Sequence, residues 1–458
     1  MVRLFHVYYP LRTLVLLACE ALIVCASFLL ATLLRLGSDS YLVLNYEYGL
    51  GKILVVTLVV IIASHYFDLY APAQVNSSGE TYFRLLLVLG FLCFFLAAAT
   101  FVYPHFEIQR GVYLTGTVFL TGALLLWRAL FGWIIRLPQL RERVYVIGAG
   151  HRAENLVKMI RERTDMGMDI VGWAGTTGDK SLDRELIGNN LRTLAQKRNV
   201  DRVVVAITDR RGTIPIRELL DLRLEGVKIE DANSIFEKMT GKLETEGLYP
   251  SALIYSEGFR VSTGFMITRR ILSIVISLTG LVLCLPFIPI LALAIKLTSP
   301  GPTFFRQTRV GRKGEVFTVY KFRTMRADAE SKTGAVWAGR NDPRVTVVGR
   351  LMRKTRLDEI PQLWNVLKGD MAFVGPRPER PEFVQWLEEQ IPYYHLRHIV
   401  RPGLTGWAQV KYQYGASLEE TKQKLQYDLY YIKHMSVALD LWIVFETIKT
   451  VILRRGAQ

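Results

Sequence analysis

Over the first part of the chain, hydrophobic residues come in long unbroken runs rather than in periodic stripes. Residues 13–34, 53–69, 85–103 and 112–133 form four such runs. Each is close to the roughly 20 apolar residues that span a bilayer as a helix. Glu20 lies inside the first run and Arg128 inside the fourth. Charges at that depth predict contact with neighbouring helices rather than with lipid. The first run is long and is not followed by a small-residue cleavage site, so a cleavable signal peptide fits poorly. Arg3 and Arg12 precede the first run, and Arg136, Arg141 and Arg143 follow the fourth. The loop 37–51 holds Asp39 and Glu47, with cations only at its edges. The positive-inside rule then places the N-terminus and residue 140 in the cytoplasm.

After residue 142 the runs shorten and alternate with helical patterns. Arg143-Val-Tyr-Val-Ile-Gly-Ala-Gly-His-Arg-Ala153 reads as a strand, a glycine turn and a helix start. Residues 169–174 and 202–207 read as buried parallel strands, with helical patterns at 153–163 and 216–225. An open Rossmann-like sheet is the natural architecture. Gly148, Gly150 and Ala153 match a G-x-G-x-x-A turn that would let a pyrophosphate approach the helix end. The acidic ribose ligand expected after the second strand is replaced by Gly172-Trp173, and residues 142–260 hold no Tyr-x-x-x-Lys pair. Nucleotide binding, catalysis and a structural or regulatory role all stay open for this part.

A fifth apolar run covers 271–295. Arg269 and Arg270 precede it, and Lys296, Arg306, Arg309, Arg312 and Lys313 follow. Cations on both flanks predict both ends on the same side. Pro286 and Pro289 in its second half predict a broken helix. A helix that enters and leaves on one face satisfies both; an ordinary kinked span is the alternative, since membrane helices tolerate proline. The last third is polar, basic and aromatic-rich. It closes at 437–455 on a helix pattern that suits either a membrane interface or a domain core. The expected domains are a four-helix transmembrane part (1–138), a Rossmann-like part (139–262) and an α+β monotopic part (263–458) with a re-entrant helix at 270–297.

Composition sharpens this picture. The chain is 50% hydrophobic yet 21% charged, with a net charge of +16. Such a balance calls for anionic partners. Beside so many apolar runs, lipid headgroups and phosphorylated substrates fit better than nucleic acid. Cys19, Cys25, Cys93 and Cys284 all lie in apolar runs without metal-ligand spacing, as small buried hydrophobes do.

The densest chemistry runs from Thr355 to Pro378. Asp358 and Glu359 follow Arg350, Arg353, Lys354 and Arg356. Carboxylates hold Mg²⁺, and clustered cations hold phosphate oxygens. Pro361 suits a first helical turn, placing both acids at a helix N-terminus. There, acids also serve simply as caps. The surroundings favour chemistry. Arg350, Arg353 and Lys354 share a helical face. Lys321 and Arg323 share one side of a strand in Tyr320-Lys-Phe-Arg-Thr-Met325. Val374-Gly-Pro-Arg-Pro378 and Val400-Arg-Pro-Gly-Leu-Thr-Gly-Trp-Ala-Gln409 are rigid turns around Arg377 and Arg401.

These motifs, with Leu357-Asp-Glu-Ile-Pro-Gln-Leu-Trp-Asn-Val-Leu-Lys-Gly-Asp370 and Tyr427-Asp-Leu-Tyr-Tyr431, resemble the bacterial sugar transferase family over about 267–455. The whole chain resembles its larger members, which carry four membrane helices and a Rossmann-like domain first. The N-terminal part is similar to the subgroup linked to exosortase exopolysaccharide clusters. The resemblance implies transfer of a sugar-1-phosphate from a nucleotide diphosphate sugar, usually a UDP-sugar, to undecaprenyl phosphate. UMP is released, and exopolysaccharide or O-antigen assembly begins. It implies Asp358 as nucleophile, Glu359 as its partner in Mg²⁺ binding, and Pro376-Arg377-Pro378 as part of the nucleotide site. Lys321, Arg323, Arg350, Arg353, Arg356, Arg401 and Asp428 complete the expected substrate-binding set, with Asp358 and Glu359 as metal ligands. It further implies a bacterial inner-membrane protein, a cytoplasmic catalytic part, a homodimer and no nucleic-acid partner. Two rival readings differ in class. An NAD-dependent dehydratase or epimerase needs the missing Tyr-x-x-x-Lys pair, and a non-enzymatic nucleotide-sugar sensor would not depend on Asp358.

Overall fold

The computed structural model describes residues 1–71, 78–148, 150–174, 191, 193, 195, 198–207, 215–245, 258–259, 263–326, 329, 342–412 and 417–453. Ala149 of the glycine turn and Arg455 lie outside them. The chain forms two compact units, Tyr8–Ile235 with Met1–Val2, and Phe236–Gln458 with Arg3–Val7.

In the first unit, the four long apolar runs are the helices Leu11–Leu36, Gly49–Tyr66, Ser78–Val102 and Arg110–Arg136. Their shared core includes Val24, Phe28, Val56, Val60, Val88, Leu92, Leu120 and Leu124. The second helix stops at Tyr66, short of the expected residue 69, because Asp68 takes a left-handed backbone (φ 59°). Glu20 and Arg128 do face protein. Arg128 Nε lies 2.5 Å from Glu20 Oε1, Tyr70 donates to Glu20 Oε2 at 2.7 Å, and Arg128 donates to the Leu69 carbonyl at 3.0 Å. Pairing makes two charges tolerable at that depth.

The same unit holds a four-stranded parallel sheet. Its strands are Glu142–Ile147, Met168–Ala174, Arg202–Val205 and Lys228–Asp231. In space the order is second, first, third, fourth. Gly148 is required by crowding, since an added Cβ would sit 2.5 Å from the Ala206 carbonyl oxygen. Where an acidic ribose ligand was sought, Trp173 stands instead, and its indole N–H donates to the Gly148 carbonyl at 2.8 Å.

In the second unit a fifth helix, Thr263–Cys284, is also long and apolar enough to cross a membrane. It breaks at Leu285–Pro286, and Phe287–Thr298 follows. Pro286 caps this second helix, and Pro289 sits in its first turn, where a missing N–H costs little. An antiparallel hairpin follows, Phe304–Val310 with Val316–Phe322, and Phe305 stands opposite Lys321. The closing helix Val437–Ile452 packs one face into the protein, as a core helix does. Leu439 and Ile443 are buried, while Leu441, Ile448 and Ile452 are exposed.

Candidate active site

The two acids sit in a short 3-10 turn, Leu357–Glu359, one turn ahead of the helix Gln362–Lys368. Pro361 is the residue just before that helix rather than its first turn. Arg356 enters the turn with a left-handed backbone (φ 57°), which turns the chain sharply after the helix Val347–Lys354. Thr346 caps that preceding helix by accepting from the Gly349 N–H at 3.0 Å. Asp358 and Glu359 are both buried as a result.

Three cations converge on one oxygen. Glu359 Oε1 lies 2.7 Å from Arg377 Nη2, 3.7 Å from Arg356 Nη1 and 3.8 Å from Lys321 Nζ. Burial pushes the Glu359 carboxyl up, but Arg377, Lys321 and Arg356 outweigh it and hold the group well below the carboxylate range. Asp358 has no such clamp, and its buried Oδ1 lacks a hydrogen-bond partner. Burial and the adjacent Glu359 charge push Asp358 up to about 6, against the pull of Lys321, Arg353 and Arg356. Burial, then Arg377, lowers the Lys321 ammonium to about 8, opposed by both acids. With four cations around two carboxylates, the site suits a diphosphate.

The predicted loops meet here. Strand Ala372–Val374 pairs in parallel with Gly403–Thr405. Gly375 N–H donates to the Thr405 carbonyl, and Gly403 N–H to the Pro376 carbonyl, both at 2.8 Å. A Cβ on Gly403 would lie 2.1 Å from the Gly375 nitrogen, so only glycine lets the two loops touch. Pro376 and Pro378 are buried on either side of Arg377.

Other expected site residues lie elsewhere. Arg323 is buried and donates to the Ser299 and Pro300 carbonyls at 2.6 and 2.8 Å, because the strand ends at Phe322 and turns its side chain away. Arg350 is exposed on its helix, whereas Arg353 donates to Thr324 Oγ1 at 3.0 Å. Asp428 is buried in an ion pair with Arg397 at 2.9 Å. Arg401 is held low first by burial and then by Arg270, Arg312 and Arg269, a cationic group apart from the acid pair's printed partners.

Three residues escaped notice as supports of the site. Arg397 is buried and donates to the Arg377 carbonyl at 2.9 Å, which fixes the turn from behind. Asn365 donates to the Thr318 carbonyl at 2.7 Å and accepts from the Tyr320 N–H at 3.1 Å, which sets the strand that carries Lys321. Arg269, read as a topology signal, is buried against Asp440 at 3.0 Å and Tyr431 at 2.7 Å, and also donates to the Val374 carbonyl. A polar residue in the apolar run Leu363-Trp-Asn-Val-Leu was the available signal for Asn365. Arg397 carried none.

Fold and site together define a membrane-associated enzyme class built to handle phosphates. Residues 265–454 match the bacterial sugar transferase family. The chain is 41% identical over 242 residues to a UDP-N-acetylgalactosamine-undecaprenyl-phosphate N-acetylgalactosaminephosphotransferase of Aeromonas hydrophila, covering 53% of this chain and 56% of that protein. It is 32% identical over 376 residues to a UDP-glucose:undecaprenyl-phosphate glucose-1-phosphate transferase of Klebsiella pneumoniae, covering 79% and 78%. It is 40% identical over 194 residues to an exopolysaccharide production protein of Rhizobium leguminosarum bv. phaseoli, covering 41% of this chain and 97% of that protein. The chain belongs to the bacterial sugar transferase family.

Proposed function

We propose that this protein transfers a sugar-1-phosphate from a nucleotide diphosphate sugar, a UDP-hexose, to undecaprenyl phosphate. This would open exopolysaccharide or O-antigen assembly. The observation that carries the reading is the unequal acid pair: Glu359 is neutralised by Arg377, Lys321 and Arg356, while Asp358 keeps a buried oxygen without a hydrogen-bond partner. The relatives' names supply the donor and acceptor classes.

In the first step an Asp358 carboxylate oxygen attacks the sugar-bearing phosphorus. The Asp358 O–P bond forms, and the bond to the bridging oxygen breaks with its electron pair leaving on UMP. In the second step an oxygen of the lipid phosphate attacks the same phosphorus, and the Asp358 carboxylate is released. No proton moves in either step. Arg377, on its buttressed turn, holds the diphosphate, and Lys321, Arg353 and Arg356 offset its charge. Magnesium suits this donor set, because it typically takes one or two carboxylates and completes its shell with phosphate oxygens and water. Asp358, through its unpartnered oxygen, and Glu359 are the residues that would hold it. When bound, it neutralises charge on the departing phosphate.

The break at Pro286 and the basic flanks support a re-entrant helix and a catalytic part on the cytoplasmic face of the inner membrane. The parallel sheet order supports a Rossmann-like domain. The family resemblance supports a homodimer, which a mass measurement in native lipid checks. UMP release from a panel of UDP-sugars, with Mg²⁺ and undecaprenyl phosphate, tests the central reading. Continuous release with one sugar, falling to at most one UMP per protein when the lipid is omitted, is expected; no release from folded protein with any sugar would overturn it.

A further inference from the structure

Gln362 opens the helix Gln362–Lys368 just beyond the acid pair and is 3% exposed. Its side-chain nitrogen, Nε2, is buried without a hydrogen-bond partner among the described residues. An unmet buried N–H costs stability, so such a donor calls for a physical reason. The buried amide one turn further along gives the contrast. Asn365 donates to the Thr318 carbonyl and accepts from the Tyr320 N–H, so its polar atoms serve the fold.

Chain geometry keeps Gln362 beside Asp358. Leu357–Glu359 is a 3-10 turn, and Ile360 (φ −51°, ψ −42°) and Pro361 (φ −61°, ψ −19°) continue the right-handed backbone into the helix. Asp358 and Gln362 are therefore four residues apart on continuous turns, roughly 6–8 Å along the axis. Gln and Asp at that spacing are within hydrogen-bonding reach. With two carboxylates a turn away, electrostatics presents the N–H end of the amide to them rather than the carbonyl end. Asp358 Oδ1 is a buried acceptor without a partner and Gln362 Nε2 a buried donor without one, yet the two do not bond each other. A group that fits between them must offer an acceptor to the amide and an electrophile to the carboxylate. A cation answers only the carboxylate. A phosphoryl group answers both: its phosphorus takes the carboxylate oxygen, and its non-bridging oxygens accept from the N–H.

We propose that Gln362 is a further catalytic residue, whose amide N–H donates to a non-bridging oxygen of the phosphoryl group that passes to Asp358 and on to the acceptor. This rests on the transferase reading above. The amide is neutral and gives up no proton. Both displacements take place at one phosphorus on one carboxylate, so a single fixed donor serves both.

The test uses the full chain in nanodiscs with two variants. Gln362→Met keeps the length and removes the donor; Gln362→Glu is closer in shape but carries a charge. The single-turnover rate of covalent labelling by the UDP-sugar, without lipid, should fall about a hundredfold in Gln362→Met, and discharge of the label to undecaprenyl phosphate should slow by a similar factor. The thermal midpoint should hold or rise, because methionine leaves no buried donor unmet. Gln362→Glu should lose more than Gln362→Met, since a carboxylate repels the phosphoryl oxygens; a role in shape alone gives the reverse order. The decisive comparison replaces one non-bridging oxygen of the sugar-bearing phosphorus by sulfur, a weaker acceptor. For one of the two stereoisomers, the slowing seen in the wild type should shrink about fivefold or more in Gln362→Met. Equal slowing of both proteins with both isomers would overturn the contact, as would labelling of Gln362→Met at the wild-type rate. A wild-type protein that takes no covalent label from any UDP-sugar would sink the transferase reading instead.

Discussion

At the residue scale the site turns on an inequality between neighbours. Asp358 and Glu359 are adjacent and both buried, yet only Glu359 has its oxygen ringed by cations. Asp358→Asn should cut transfer by roughly three orders of magnitude or more without changing the thermal midpoint; turnover near normal would remove the nucleophile role. The pH dependence follows from the pKa directions. Asp358 is raised to about 6, so below that pH it is protonated and cannot attack. The rate of covalent labelling should therefore rise with pH through about 6. Glu359's charge is one cause of that raise, so Glu359→Gln should move the acid limb of the residual activity to lower pH. A limb that stays or moves up would contradict the coupling. The acids were legible in the sequence because six charges crowd into ten residues from Arg350 to Glu359. Which acid would be clamped was not, because Lys321 and Arg377 come from distant segments.

At the element scale, short pieces are held by buried polar groups rather than by length. The strand Ala372–Val374 and its partner Gly403–Thr405 have three residues each. Such a pair is marginal alone. Arg397 supplies the missing rigidity: it is buried, paired with Asp428 at 2.9 Å, bonded to Tyr394 at 2.6 Å, and donates to the carbonyl of Arg377. Asp428→Asn leaves that guanidinium buried without its counter-charge, a change that costs about 3–5 kcal/mol. The thermal midpoint should fall, and the KM for the nucleotide sugar should rise more than that for the lipid, because the turn that slackens carries Arg377. Equal changes in both would make the pair a general stabiliser. Asp428 was visible in the sequence as a motif acid, but its partner lies thirty-one positions earlier, on a short 3-10 segment with no periodic signal. The apolar runs were far more legible, because a bilayer-length hydrophobic helix needs no partner to declare itself. The early end of the second helix, before residue 69, came from Asp68's backbone, which hydrophobicity does not report.

At the scale of the whole molecule, chain connectivity constrains the membrane path. The second unit contains residues from before the first apolar helix, from before Thr263 and from after Thr298. Tyr430 donates to the His6 carbonyl at 3.0 Å, and Arg3 donates to His434 Nδ1 at 2.7 Å. Trp407 donates to the Gly241 carbonyl at 2.8 Å, and Leu243 packs in one core with Val310, Val384 and Leu425. Polar groups in such contacts must share one aqueous side. These contacts support a path with an even number of crossings between residues 7 and 236 and no net crossing between 245 and 310. Four helices meet the first condition, and the re-entrant helix proposed above, turning back at Leu285–Pro286, meets the second. Single cysteines replacing Thr263 and Thr298, in a chain whose Cys19, Cys25, Cys93 and Cys284 are changed to serine or alanine, should both react with an impermeant thiol reagent only from the cytoplasmic side. A cysteine at Tyr46, exposed at the end of the short helix Ser40–Tyr46 that precedes the second long helix, should react only from the opposite side. Reaction of the Thr263 and Thr298 positions from opposite sides would mean that Thr263–Thr298 crosses. The contacts that join residues before and after it would then have to part in the membrane, and the site they brace would not form as described.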